Sequence, residues 1–405
     1  MQAGIDVRAA RRNAVVLAFA QALVGSAAPV AISTGGLAGT FLLDADKTLA
    51  TLPVTAFNVG VAIGALPAAA LMRAIGRRYG FICGTFGATF GGLVASFALF
   101  QLSFWLFALG LLIIGLGNAF TQQYRFAATD GAPRHYQSNA ISIVLIGGMG
   151  AAVVGPQMVR FTSGVFMPFE FAGSFVGLAI LGLAGAAVLS LLRTPPIEPS
   201  GTGGEHSGPA RPLIEIVTQR RFIVALICGV GSFAMMSFVM TGAPLAIVGC
   251  GLPQDVSFLG IQWHVLAMFA PSLVTGRLIN RLGVERVVGL GLILTATAAL
   301  VFLSGLAIWN FWLGLVLLGI GWNFGFIGAT TMVAQTHEPN ERGKTQGFHD
   351  FVLFTTVACA SFLSGRTYVT AGWDVMNWII LPIATVCLLT LASEMIATRR
   401  KARAV

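Results

Sequence analysis

Four residues in this chain could bind a ligand together. Met236 and Met240 lie four positions apart in one long apolar stretch, and His264 and Met268 repeat that spacing in the next. Four positions is about one helical turn, so each pair puts two donor side chains on one helix face. Thioethers are soft donors with no proton to lose, and a neutral imidazole binds copper, zinc, iron and nickel. Three thioethers and one imidazole form a neutral set, within which a cuprous ion would carry only its own single charge. Copper(I) is therefore the expected metal. The plainer alternative is packing: methionine is an unbranched gap filler, and a histidine inside a membrane helix can simply bond a neighbouring helix.

These pairs belong to a chain of 405 residues, 56% hydrophobic and only 10% charged, with 50 glycines and a mean hydropathy of +0.84. That excludes an ordinary soluble domain. Apolar runs of roughly 20 residues, enough to cross a ~30 Å hydrocarbon core, recur almost without pause. We read twelve spans: 14–36, 49–73, 79–101, 103–127, 137–162, 169–192, 221–248, 256–279, 286–307, 309–334, 345–370 and 374–397. The basic, apolar opening imitates a secretory signal, but its apolar run has spanning length and eleven more spans follow, so it reads as the first helix. Met240 and His264 are each eight residues from the loop joining spans 7 and 8, and Met236 and Met268 are each twelve. At ~1.5 Å per residue the donors lie at matched depths near the membrane centre. A thiolate or carboxylate cage there would hold an ion harder and release it poorly.

With the N-terminus inside, 21 of the 24 Lys and Arg fall on the inner side, leaving Lys47, Arg160 and Arg366 outside. Both termini are therefore expected in the cytoplasm. The net charge of +9 is spread over separate short loops, as topology requires, which argues against nucleic acid as a partner. Cys83, Cys228, Cys250, Cys359 and Cys387 imply no disulfide framework.

The stretch "RTPPIEPSGTGGEHSGPARP" reads as a flexible linker at 194–220, between six-helix bundles at 1–193 and 221–405. The halves echo each other: "ALMRAIGRR" matches "RLINRLGVER", "GLGNAF" matches "GIGWNF", and Pro133 matches Pro339, all at offsets near half the chain. A duplicated 6+6 arrangement puts substrate sites near the midplane between the halves.

On these features the chain resembles the major facilitator superfamily, an all-α fold of twelve transmembrane helices in two halves. The superfamily's loop motif is kept in the second half by Gly276, Leu278, Asn280, Arg281, Gly283 and Arg286. The first half keeps Gly76, Arg77 and Arg78, with Ala69 and Arg73 where the motif has Gly and Asp. The resemblance implies a charge network that holds one transport state, from which the Arg73 substitution removes a carboxylate. "GMGAAVVGP" in span 5 resembles a segment often seen in antiporters, although small residues line helix contacts in most membrane bundles. The two Met and His pairs are similar to those of the CcoA-like copper importers of the bacterial inner membrane, which supply cbb3-type cytochrome oxidase assembly. That likeness implies that Met236, Met240, His264 and Met268 ligate copper and that transport runs into the cytoplasm.

Other candidates are Cys228 and Cys250 as a sulphur relay and His349 with Asp350 as a proton-coupling pair. Asn118, Gln122, Gln123, Arg125 and Asn323 either line a cavity or tie helices together. His135, His206 and His337 fall in expected cytoplasmic loops. The leading expectation is a monomeric copper importer working by alternating access, with copper as cargo, no fixed cofactor and a copper chaperone as possible recipient. The alternative is a proton-coupled transporter of a small organic solute or drug, its methionines lining a soft pocket. With no nucleophile–base pair, phosphate loop or appended soluble domain visible, an enzyme is not expected.

Overall fold

The computed structural model describes residues 7–43, 46–130, 132–193, 211–338 and 341–403. Among them every regular element is a helix: α1 Val7–Val24, α2 Ala27–Leu42, α3 Leu52–Phe100, α4 Phe104–Thr121, α5 Tyr124–Ala127, α6 Arg134–Thr162 and α7 Ala172–Leu189, then α8 Leu213–Val217, α9 Arg220–Gly249, α10 Gln254–Phe269, α11 Ser272–Leu282, α12 Val284–Leu303, α13 Ile308–Ala334 and α14 Arg342–Arg403. Nine described helices or joined helices are long and apolar enough to cross a membrane, ten if the bent pair α10–α11 counts as one. This is a multi-pass membrane protein.

Two helices exceed one crossing, and glycine divides both. The 49 residues of α3 break at Gly76 (φ 82°, ψ 159°), and the 62 residues of α14 break at Gly372 (φ 83°, ψ 177°). That backbone region is essentially closed to side-chain-bearing residues. Gly283, between α11 and α12, takes the same conformation (φ 89°, ψ 148°). Gly76 and Gly283, matched in the repeat, thus make equivalent turns. Counting the bent pair as one span and each side of the two breaks as one gives twelve among the described residues. The span expected at 256–279 is bent by 43° between α10 and α11, where Pro271 cannot continue the hydrogen-bond ladder.

Packing relies on small residues, because lipid supplies no hydrophobic drive between helices. A Cβ on Gly115 of α4 would sit 2.1 Å from the Phe57 carbonyl of α3, and one on Gly147 of α6 would sit 2.2 Å from the Ala18 carbonyl of α1. Gly147, Gly150 and Gly155 of the "GMGAAVVGP" region all face α1 or the turn into α2, so this stripe packs helices. Buried side chains form two clusters made almost wholly of residues before 194, containing Phe57 with Phe107 and Phe81 with Tyr124. A third, around Met236, Phe302 and Phe311, draws almost wholly on residues after 210.

Between those regions, residues 194–210, including His206, lie outside the described residues, as do Pro339 and the His135 side chain. The end of the expected flexible linker is not loose. Arg211 donates to the buried Glu341 carboxylate through Nε at 2.8 Å and Nη2 at 2.6 Å, and Lys344 donates to the Arg211 carbonyl. Gln219 donates to the Thr336 carbonyl, while Ile216 of α8 is fully buried. The Arg211 guanidinium and backbone donors hold the Glu341 carboxyl well below its ordinary range.

Candidate functional site

The Met and His pairs sit in the interior of the second region. Met236, Met240 and Met268 belong to one buried cluster that also contains Met235. His264 is fully buried, its Nδ1 2.7 Å from the Leu315 carbonyl of α13 and its Nε2 without a hydrogen-bond partner. If Nδ1 carries the proton for that contact, Nε2 presents an unused lone pair. Among the described residues no three His, Cys, Asp or Glu gather into a metal site, so a metal here would depend on the thioethers.

Helix α13 organises this region. One side bears α10: a Cβ on Gly319 would lie 2.5 Å from the His264 carbonyl, and Asn323 Nδ2 donates to the Met268 carbonyl at 2.6 Å. Another side bears α9: a Cβ on Gly325 would lie 2.3 Å from Ser232 Oγ, and one on Gly229 of α9 would lie 3.2 Å from Ala329. At roughly 100° per residue, Trp322 and Phe326 fall on the arc between those two contacts. Their rings stack at 5.2 Å and 18°, and Phe233 of α9 meets both edge-on at 5.3 and 5.1 Å. All three are partly exposed. The indole Nε1 of Trp322 and the hydroxyl of Ser232 are buried without partners. A buried polar group normally finds a partner. An aromatic surface beside unused donors and acceptors suits a flat solute that stacks and hydrogen-bonds.

The other candidates separate by environment. Asn323 is a brace: Nδ2 also donates to Ser272 Oγ and Oδ1 accepts from Thr275, both at 2.6 Å, pinning the α10–α11 bend. Asn118 is buried, whereas Gln122 and Arg125 are exposed and the Arg125 guanidinium lies 4.8 Å from the Phe126 ring. Asp350, in α14 of the second region, acts on Arg125 as an opposing charge. Asp350 oxygen is 3.0 Å from His349 Nδ1, and His349 is buried with Nε2 unpartnered. Cys228 Sγ is 3.6 Å from the Cys387 carbonyl of α14, and Cys250 is exposed just past the end of α9. All five cysteines are free.

In the loop motif, Arg77 pairs with Asp130 and thereby ties the Gly76 turn to the segment after α5. The motif carboxylate replaced by Arg73 thus leaves Arg77 with a partner elsewhere. Burial raises the Asp130 carboxyl above its ordinary value, although Arg77 opposes this. Arg78 stacks at 5.7 Å on Tyr79. Gly276, Asn280, Arg281 and Arg286 lie around the Gly283 turn, where Glu285 pairs with Arg221 at 2.9 Å.

At the end of the bundle away from the termini, the two regions are tied together. Gln157 of α6 donates to Gln262 of α10 at 2.7 Å, Arg160 pairs with Asp255 at 3.0 Å, and Gln254 donates to Glu170 at 2.7 Å. Thr51, at the start of α3, donates to the Ser361 carbonyl and accepts from the Gly365 N–H, each at 3.2 Å. Such ties recur where two halves close on each other.

The profile of the Major Facilitator Superfamily matches residues 13–270 and 256–404. The chain belongs to the major facilitator superfamily. Within that superfamily it is 49% identical over 386 residues to the riboflavin transporter RfnT of Brucella anthropi, covering 95% of this chain and 96% of the relative. It is 30% identical over 369 residues to YdeG of Bacillus subtilis, an uncharacterized MFS-type transporter, covering 88% and 85%. The solved nucleoside transporter NupG shares the fold at a TM-score of 0.73 and 13% identity, covering 95% of this chain and 99% of that one. The superfamily and the relative named as a riboflavin transporter point to transport rather than catalysis.

Sequence reasoning passed over Phe233, Ser232, Trp322, Phe326, Gln157 and Gln262. One signal was visible: tryptophan and phenylalanine four residues apart in span 10 share a helix face. No such signal marked Gln157 and Gln262, which meet across 105 residues of sequence.

Proposed function

We propose that this chain is a secondary transporter of a small, flat organic solute of the riboflavin kind, working by alternating access in a bacterial cytoplasmic membrane. The observation that carries this is the 49% identity, over 95% of the chain, to a riboflavin transporter. It favours the organic-solute reading over copper. The partly exposed Phe233–Trp322–Phe326 surface supports it, because a conjugated ring system stacks on such a face. The unpartnered Trp322 Nε1 and Ser232 Oγ, buried on the same helix pair, are groups that a polar solute would hydrogen-bond once the packing over them opens.

With both termini cytoplasmic, as the distribution of arginines supports, the tied end faces outward and this is an inward-facing state. The halves at 1–193 and 221–405 rock about the central site. His349 and Asp350 are the proposed proton-coupling pair, supported by their 3.0 Å contact and the Arg125 charge acting from the other half. The test is uptake of labelled riboflavin by a bacterium that can neither make nor import it. Riboflavin-dependent growth with saturable uptake supports the reading. Absence of both, with the protein present in the membrane, overturns it.

Copper(I) import is the second reading, favoured by the unused Nε2 of His264 in a region that also buries Met236, Met240 and Met268. Copper would then be cargo for cytochrome oxidase assembly, handed to a chaperone, with Cys228 and Cys250 along its path. Direct Cu(I) titration of the purified protein separates the two. Tight binding lost in Met236→Ala and His264→Ala supports copper; no binding alongside riboflavin uptake removes it.

A further inference from the structure

A cavity of about 320 Å³ opens at the terminal end of the second region, lined by Arg281, Leu282, Gly283, Glu285, Arg286, Met395 and Thr398. Arg281 and Arg286 are exposed, and neither forms an ion pair with a described carboxylate. The acid that shares the cavity, Glu285, is occupied by Arg221. Two positive charges therefore converge on a space holding no free negative one.

The depth of this space is informative. Helix α12 begins at Val284, directly after the Gly283 turn, and the apolar run of α14 gives way in the sequence to Arg399, Arg400 and Lys401. The cavity thus sits where both helices leave the hydrocarbon, at headgroup level. Beyond it, α12 exposes Leu290, Ile293 and Leu300, while α14 exposes Leu389 and Ile396. Leu391 of α14 packs 3.6 Å from where a Cβ on Gly289 would be, so the two helices meet below the basic pair. The result is a guanidinium-lined opening joined to an outward apolar surface. Basic cavities of this kind between membrane helices suit a phosphate, and the adjoining surface suits acyl chains.

We propose that this cavity binds the phosphate headgroup of an anionic phospholipid, with Arg281 and Arg286 as its ligands. The site is separate from the proposed cargo surface, since none of Phe233, Trp322 and Phe326 lines it. Free phosphate offers the same oxygens without the acyl chains, so the test separates the two sources. The full-length protein, purified in detergent and confirmed monodisperse, would be titrated by native mass spectrometry with phosphatidylglycerol, phosphatidylcholine and inorganic phosphate.

Phosphatidylglycerol should bind in preference to phosphatidylcholine, and the Arg281→Gln/Arg286→Gln variant should bind it about 30-fold more weakly, as expected for two lost charges. Arg277→Gln, on the same helix but outside the cavity, should bind as the unaltered protein does. The Lys pair, Arg281→Lys/Arg286→Lys, should retain most of the affinity and guards against a folding defect in the Gln pair. Equal retention of phosphatidylglycerol by the Gln pair, equal binding of phosphatidylcholine, or inorganic phosphate binding without lipid preference would each overturn the proposal.

Discussion

Trp322 and His264 carry the sharpest consequences of single side chains. Trp322 offers a partly exposed ring face and a buried, unpartnered Nε1. Aromatic pairs contribute about 0.5–1.5 kcal/mol beyond buried area, so Trp322→Ala should raise the riboflavin KM roughly 2- to 13-fold. Trp322→Phe, which keeps a ring but no donor, should recover part of that loss in a concentration series of uptake. His264 separates the two cargoes. His264→Ala should leave riboflavin uptake measurable while removing any Cu(I) binding, because only copper needs the imidazole as a ligand. Glu341 is a quieter case. Its carboxyl is held well below the ordinary value of 4.5 by Arg211. A depressed carboxylate stabilises fully above its unfolded pKa and loses that contribution only as pH falls through the folded one. Amide protection of residues 211–219, corrected for intrinsic exchange rates, should therefore match at pH 5 and pH 7. It should fall at both in Glu341→Gln.

At the scale of elements, glycines decide where helices turn and how closely they pass. Gly319 and Gly276 make a clean comparison. A Cβ at Gly319 would come 2.5 Å from the His264 carbonyl, whereas one at Gly276 would meet nothing within 4 Å. Backbone on one side and open space on the other give opposite expectations. Gly319→Ala should destabilise by about 1–3 kcal/mol, seen as a lower midpoint in thermal unfolding in detergent. Gly276→Ala should be neutral or raise that midpoint slightly, since the helix loses a glycine at no steric cost. Gly76 and Gly283 differ again: their φ values of 82° and 89° restrict those sites to glycine whatever the space around them.

The whole molecule is tied at the end away from its termini. Gln157–Gln262, Arg160–Asp255 and Gln254–Glu170 hold the two regions together there. On the proposed alternating-access reading, each is an interaction that the opposite transport state would break. Asp255→Asn with Gln262→Ala should shift the population toward the outward-open state, by roughly 5- to 30-fold if about 1–2 kcal/mol is lost. Accessibility of a cysteine placed at Gly36, beside Leu245 of the other region, to an impermeant thiol reagent would measure it. Unchanged labelling would show that these ties do not set the balance.

Composition alone determined that this is a membrane protein, because a chain so rich in apolar residues has few other places to bury them. The repeat of "ALMRAIGRR" in "RLINRLGVER" marked the duplicated turns, and Gly76 and Gly283 do share one unusual backbone conformation. Periodicity put Met236 with Met240 and His264 with Met268 on single helix faces, since the helical repeat is a local property. What local periodicity could not carry was the partner of each face. That His264 lies against Leu315, that Asn323 braces a bend, and that Trp322 and Phe326 occupy the arc between α9 and α10 all follow from how helices distant in sequence pack. The end of the linker taught the same lesson: Pro, Gly and Ser suggested a free tether, but Arg211 found the buried Glu341 carboxylate 130 residues away. Rotation and neighbour choice are tertiary properties, set by small-residue contacts such as Gly319 on the His264 carbonyl, and only the folded molecule decides them.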